Sequence, residues 1–425
     1  MASSSTPWWK EPTREQWIAY LAAWAGWVLD AFDFTVFLLV MPKIAAHFGV
    51  PLTAVASTIT LTLLTRLVGG VAAGALADRY GRKLPLVLSV AWFALCDGAV
   101  ALAPSFTWVL ILRVLFGFGM GAQWTSGTTM AMESWPARSR GLASGILQGS
   151  WAIGYLAAAW VARLVLGQGY SWRAIFVVAA LPALLVLPLQ LRAKESRDLH
   201  GGVQAPAVPL QALFTPDLRR RLAWGSLSMA LGLAVYYAFT GLHATLLQTE
   251  LHLPLDEAMD LVALFNLGML GGSVVFGAIA KRKGVVAAIV TPALASLLVI
   301  PLFVGAVPSL LPVGSFLIGA VGVGWCGTVP IYLTSLFPAA VRGRAVGIAY
   351  HVGAVLAAAV PPAITELSRA LAPATAAPLA WSIALIAGGG LLALVVVLLI
   401  QPKALTGSAL APAPQVAPAV AVEVA

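Results

Sequence analysis

Charge is scarce in this chain. Asp, Glu, Lys and Arg make up 10% of its 425 residues, where a soluble domain carries roughly 25%. Apolar residues supply 60%, and the mean hydropathy is +0.92. Too little polar surface exists to cover a water-soluble globule. That overrides the two or three soluble domains that length alone would suggest, and lipid becomes the expected solvent. Cysteine is nearly absent. Cys96 and Cys326 both fall inside apolar runs, so no disulfide framework is expected. Also missing are H-E-x-x-H, G-x-S-x-G and any His/Asp/Glu cluster at metal-ligand spacing. A membrane-embedded enzyme is therefore not expected, nor a metal, nor a cofactor. A cleaved signal peptide is not expected either, because the first apolar run is too long for one and follows Trp8, Trp9, Lys10, Arg14 and Trp17.

What is present is a series of apolar runs. A helix needs about 20 apolar residues to cross the bilayer core. Twelve runs qualify, near 17–40, 53–76, 84–103, 106–131, 141–165, 172–191, 222–247, 257–280, 285–306, 308–334, 343–367 and 376–400. The alternating ten-residue segments of a β-barrel are lacking, so the spans are expected to be helices. The net charge of +9 comes in short bursts between runs, a pattern of membrane topology rather than of nucleic-acid binding. With the N-terminus placed inside, the inner segments hold nineteen Lys and Arg and the outer segments only four, Lys43, Arg163, Arg173 and Arg369. Both termini are thus expected in the cytoplasm of a cell whose (inner) membrane holds the protein. The polar stretch 192–221 divides the spans six and six, giving halves 1–191 and 222–400. The Ala-Pro-Val tail 401–425 reads as disordered.

The halves repeat. "PARSRGLASG" from Pro136 and "PAAVRGRAVG" from Pro338 agree at Pro, Ala, Arg, Gly, Ala and Gly, 202 residues apart, and Gly70 and Gly272 share that offset. Parallel six-span repeats with a site between them describe a large class of secondary transporter. The stretch "GGVAAGALADRYGRKLPL" (69–86) carries the pattern G-x-x-x-G-x-x-A-D-R-x-G-R-K and closely resembles the signature loop of the major facilitator superfamily. Gly70, Gly74, Asp78, Arg79, Gly81, Arg82 and Lys83 all fit. "RVLFGFGMG" (113–121) resembles that family's span-four motif. "AAWAGWVLDAFDF", "SWPARSRGLASG" after Glu133, "SWRAIF" and "AVGIAYHVGAV" resemble its sialate:proton symporter branch, and the Asp-x-Phe-Asp element of span one (Asp30 to Asp33) also resembles aromatic acid:proton symporters. The resemblance implies an all-α fold of two six-helix bundles. It also implies a cytoplasmic gate at Asp78, Arg79, Arg82 and Glu133, and a gating or coupling role for Arg113. Where sialic acid permeases are expected to carry Asn on span eleven, this chain has His351. The second half's "GGSVVFGAIAKRKG" lacks the Asp, so its half of the gate is expected to be weaker.

Polar groups inside the spans carry the chemistry. A charge at mid-membrane costs about 2.5–3.5 kcal/mol on insertion scales, so it persists when paired, watered or useful. Asp30 and Asp33 stand three apart, on nearly one helical face. Burial penalises their charge, and each penalises the other's. The pair is therefore expected to take up a proton near neutral pH and lose it when water or a cation arrives. Arg66, about twelve residues or roughly 18 Å from Asp78, suits a carboxylate, either one of these acids or a substrate. Gln123, Gln148, Tyr236, Tyr237, Asn266 and His351 are further candidate substrate contacts, each with packing between helices as the alternative. Asp97 reads as structural, and Trp124 and Trp151 either line a cavity or pack. The expected function is proton-coupled import of a small organic anion by alternating access. Monocarboxylates, sialic acid, sugar acids and aromatic acids are the candidates, and a monomer is the expected working unit. A proton-driven exporter and a carrier-fold sensor are the alternatives. The span-five pattern usual in exporters is not seen, and the tail is short for a signalling domain.

Overall fold

The computed structural model describes residues 7–196, 198–200, 213 and 215–402, and everything regular among them is helical. Helix α1 is Arg14–Phe48 and α2 is Leu52–Tyr80. They are followed by α3 (Lys83–Val100), α4 (Phe106–Ser134), α5 (Arg140–Gly167) and α6 (Trp172–Arg192). The second six are α7 (Pro216–Glu250), α8 (Leu255–Lys283), α9 (Val285–Phe303), α10 (Pro308–Leu336), α11 (Arg342–Leu371) and α12 (Pro378–Ile400). Among the described residues, eleven segments from Ser57 to Ile400 are long and apolar enough to cross a membrane, and α1, with 35 residues, precedes them. Residues 197, 201–212 and 214 of the linker, and the tail beyond Pro402, lie outside the described residues, and with them Arg197 and Lys403.

The helices match the apolar runs, with departures where local chemistry dictates. Helix α1 extends past both ends of its run. At its start, Thr13 and Gln16 exchange side-chain bonds with each other's backbone, and at its end Gly49 closes the helix in the left-handed conformation. Helix α6 is interrupted at Pro182, which has no N–H to donate. Helix α10 is not regular: Ile318–Val323 winds as a π-helix and Gly324–Thr328 as a 3-10 helix. Gly319, Gly322, Gly324 and Gly327 lower the cost of rewinding there. The rewound stretch lets Gly324 approach Gly272 of α8 so closely that a Cβ on Gly324 would lie 2.7 Å from the Gly272 Cα. In the first half, Gly121 of α4 meets the backbone of Gly70 on α2 at the same 2.7 Å. The sequence repeat is thus also a repeat of packing.

Each half has its own apolar core. Phe37, Phe93, Phe116 and Phe176 centre the first, and Phe239, Phe303, Ile318 and Phe337 centre the second. Outward-facing side chains are apolar as well, Leu185 being 79% and Leu298 82% exposed. Helices apolar on every side belong in lipid. The halves meet along α2 against α11 and α5 against α8. They approach closely at the end that carries Asp78, where a Cβ on Gly74 would sit 2.7 Å from the Arg344 Cα. This end is closed. Gly74→Leu overpacks it, at about 1–3 kcal/mol, and should raise the open population about fivefold or more. Cys96 and Cys326 are buried, so a maleimide probe can report on one added thiol. Ser144→Cys, buried between the halves, should label correspondingly faster in the Gly74→Leu background, and an unchanged rate would refute the prediction.

Candidate functional site

Five ionisable side chains gather inside the first bundle, with Asp97 in the last turn of its helix and Arg113 in the second turn of its own. Asp30 and Asp33 on α1 and Asp97 on α3 are 0% exposed, Arg113 on α4 is 1% and Arg66 on α2 is 4%. Arg113 donates to Asp97 at 2.8 Å. Its guanidinium also stacks over Phe37 and Phe116, 4.4 and 4.0 Å from their ring centres, and Phe37 lies one turn beyond Asp33. Asp33 has Asp97, Asp30 and Arg113 as electrostatic neighbours, yet neither of its oxygens has a hydrogen-bond partner among the described residues. Asp30 is in the same condition. Its nearest cation, Arg66, stands 4.0 Å away, too far for a hydrogen bond. Asp97 is therefore no mere packing residue. It holds Arg113 within this cluster, and only the fold brings it there.

Arg66 lies where the halves meet. Its guanidinium lies 5.7 Å from the Trp27 ring of α1 and 5.5 Å from the Tyr350 ring of α11. Its Nε and Nη2 have no hydrogen-bond partner among the described residues. Trp124 stacks on Tyr350 at 3.6 Å, and Trp27 leans on Trp151 at 4.8 Å. Trp151 in turn donates to the Tyr236 hydroxyl at 3.1 Å, and Tyr237 packs beside Tyr236. A guanidinium walled by aromatic rings from both bundles can hold a carboxylate with a flat body.

The other candidates divide. His351 is buried between the bundles, its Nε2 3.3 Å from the Gly121 carbonyl and 3.4 Å from the Thr125 hydroxyl, against the Tyr350 and Trp124 rings. Gln123 does not join this group. Its Oε1 accepts from Ser89 at 2.7 Å, and its amide nitrogen lies against Gly26, which fixes α4 to α1 and α3. Asn266 donates back to Val262 of its own helix at 2.9 Å. Gln148 is buried on α5, its Oε1 without a partner among the described residues.

The closed end is held by ions. Asp78 accepts from Arg82 at 2.7 Å and, across the halves, from Arg344 at 2.9 Å and from the backbone N–H of Gly343 at 3.1 Å. Glu133 accepts from Arg82 and Arg342, both at 3.1 Å. Burial alone would lower the Arg82 pKa, but Glu133 and Asp78 outweigh it and raise it above the usual arginine value. Arg79 is exposed and stacks over Tyr80. In the second half Lys281, Arg282 and Lys283 are exposed and form no ion pair among the described residues. Two contributors went unread in the sequence. Glu195 accepts from the backbone N–H groups of Arg82 and Lys83 at 2.8 and 2.9 Å, and Ser196 donates to Glu133 at 3.1 Å. Both stand just past α6, where a Glu-Ser pair beside Lys194 carries no distinctive pattern.

Comparison with known proteins decides the family. The sequence pattern of the Major Facilitator Superfamily matches residues 23–362. The chain belongs to the major facilitator superfamily. It is 31% identical to a probable 4-methylmuconolactone transporter of Cupriavidus pinatubonensis, over 81% of this chain and 82% of the relative. It is 28% identical to the sialic acid transporter NanX of Escherichia coli, over 86% and 90%. Among solved structures, that of the proton:xylose symporter XylE superposes with a TM-score of 0.71 at 17% identity, covering 89% of this chain and 94% of XylE. This superfamily member is a multi-pass membrane transporter and not an enzyme.

Proposed function

We propose that the protein imports a small organic anion together with protons, in the inner membrane, with both termini cytoplasmic. The observation that carries this reading is Arg66, buried, ring-walled, with donors to spare and an acid 4.0 Å away. An incoming carboxylate takes those donors. Asp30, displaced from Arg66, takes a proton. The halves 1–191 and 222–400 then rock about the site, and the Asp78–Arg344 and Glu133–Arg342 pairs open to release cargo inside. The contrast between nineteen inner and four outer basic residues supports the orientation. The relatives named for sialic acid and 4-methylmuconolactone support a small organic solute. Among the candidate classes, the aromatic walls favour flat, unsaturated or aromatic carboxylates over hydroxyl-rich sugar acids.

A thermal-shift panel on the purified protein tests this. Aromatic and unsaturated monocarboxylates should raise the melting temperature, sugar acids and sialic acid less, and the matching carboxamides not at all. Equal shifts from acids and their amides would refute carboxylate recognition.

A further inference from the structure

The central cluster holds three carboxyls and two guanidiniums, all nearly inaccessible. Around them stand four further titratable groups. Cys96 adjoins Asp97 on α3. Tyr237 of α7, and Tyr350 and His351 of α11, face Arg66 and Asp30. Helices α5 and α6 bring Ala158 and Phe176 to the first-bundle core. With every acid ionised the cluster would carry one net negative charge, which a dry interior resists strongly.

We propose that Asp97 is a positioning residue for proton coupling: by holding Arg113 at 2.8 Å it denies that guanidinium to Asp33, so that the empty carrier keeps one resident proton on Asp33. This deepens the reading given above and rests on it. The geometry supplies the assignment. Asp97 has an ion pair, Asp30 has a cation at 4.0 Å, and Asp33 has neither an ion pair nor a hydrogen bond among the described residues. When a monovalent anion occupies Arg66, the same balance requires a second proton. One proton therefore crosses with each such anion, and the resident one stays.

Asp97→Asn tests the idea. It releases Arg113 to Asp33 and leaves two acids with two bases, so no proton is required. The pH midpoint of uptake in proteoliposomes should fall by about one unit or more, since a unit is tenfold in proton affinity. Asp97→Asn/Arg113→Gln restores one acid in excess and should return the midpoint to its wild-type value. A residue needed only for packing would lower the rate of uptake and leave the midpoint alone, and that result overturns the proposal. So does a midpoint equally displaced in the double variant. Wild-type protein offers a reading independent of folding in these variants and of the identity of the cargo. Its infrared spectrum at pH 7 should contain a protonated-carboxyl band that Asp33→Asn removes. Absence of that band refutes the resident proton even if the protein transports an organic anion, whereas failure of every carboxylate in the thermal-shift panel would refute the functional reading instead.

Discussion

Asp30→Asn, at the acid that takes up the travelling proton when cargo occupies Arg66, is expected to abolish accumulation of substrate against its gradient. In proteoliposomes with an imposed pH difference, the inside-to-outside ratio should settle near about one, while the wild type rises toward the tenfold per pH unit that proton linkage allows. The amide keeps the carboxyl's shape, so the 0% exposed site is not reshaped. What it loses is the ability to exchange a proton. Lowering the outside pH should speed wild-type uptake and leave the variant's nearly flat. Gradient-driven accumulation at the wild-type level would end the proposed coupling scheme.

Arg66→Ala should remove binding itself. Truncating one partner of a buried, hydrogen-bonded charge pair costs about 2–5 kcal/mol, which is a loss of affinity of about thirtyfold or more. Trp27 lies 5.7 Å from the guanidinium, so quenching of tryptophan fluorescence on titration with a carboxylate that shifts the wild type gives the dissociation constant directly. Arg66→Lys keeps the charge but loses the planar fork and should fall between wild type and Arg66→Ala. An affinity within about threefold of wild type in Arg66→Ala would mean that the anion is held elsewhere.

How much of this was visible in the residues depended on whether a feature is local. The twelve runs, the repeat at Pro136 and Pro338, and the pairing of Arg82 with Glu133 follow from patterns a few residues long or from a motif with a fixed place in its loop. Asp97 is different. Its partner Arg113 lies on the next helix, 16 residues away, and nothing in "ALCDGAV" says which face of α3 turns inward. Trp27 and Tyr350 are harder still. An aromatic residue in an apolar run reads as packing until a cation is seen beside it, and Tyr350 reaches Arg66 from the opposite bundle. Gln123, balanced in the sequence between cargo contact and helix packing, bonds to Ser89 inside the first bundle. The rewinding of α10 went unread, because glycines in a membrane span permit close packing as readily as a change of winding.

The excess of one acid over two bases also bears on which part of the cell's electrochemical gradient can do work here. If an empty and a loaded centre are both neutral, neither crossing moves net charge through the bilayer. Membrane voltage, worth about 2.3 kcal/mol per charge per 100 mV, then has nothing to act on. A bacterium with a large voltage but equal pH on its two sides would gain no accumulation from this carrier, whereas one bathed in acid would fill.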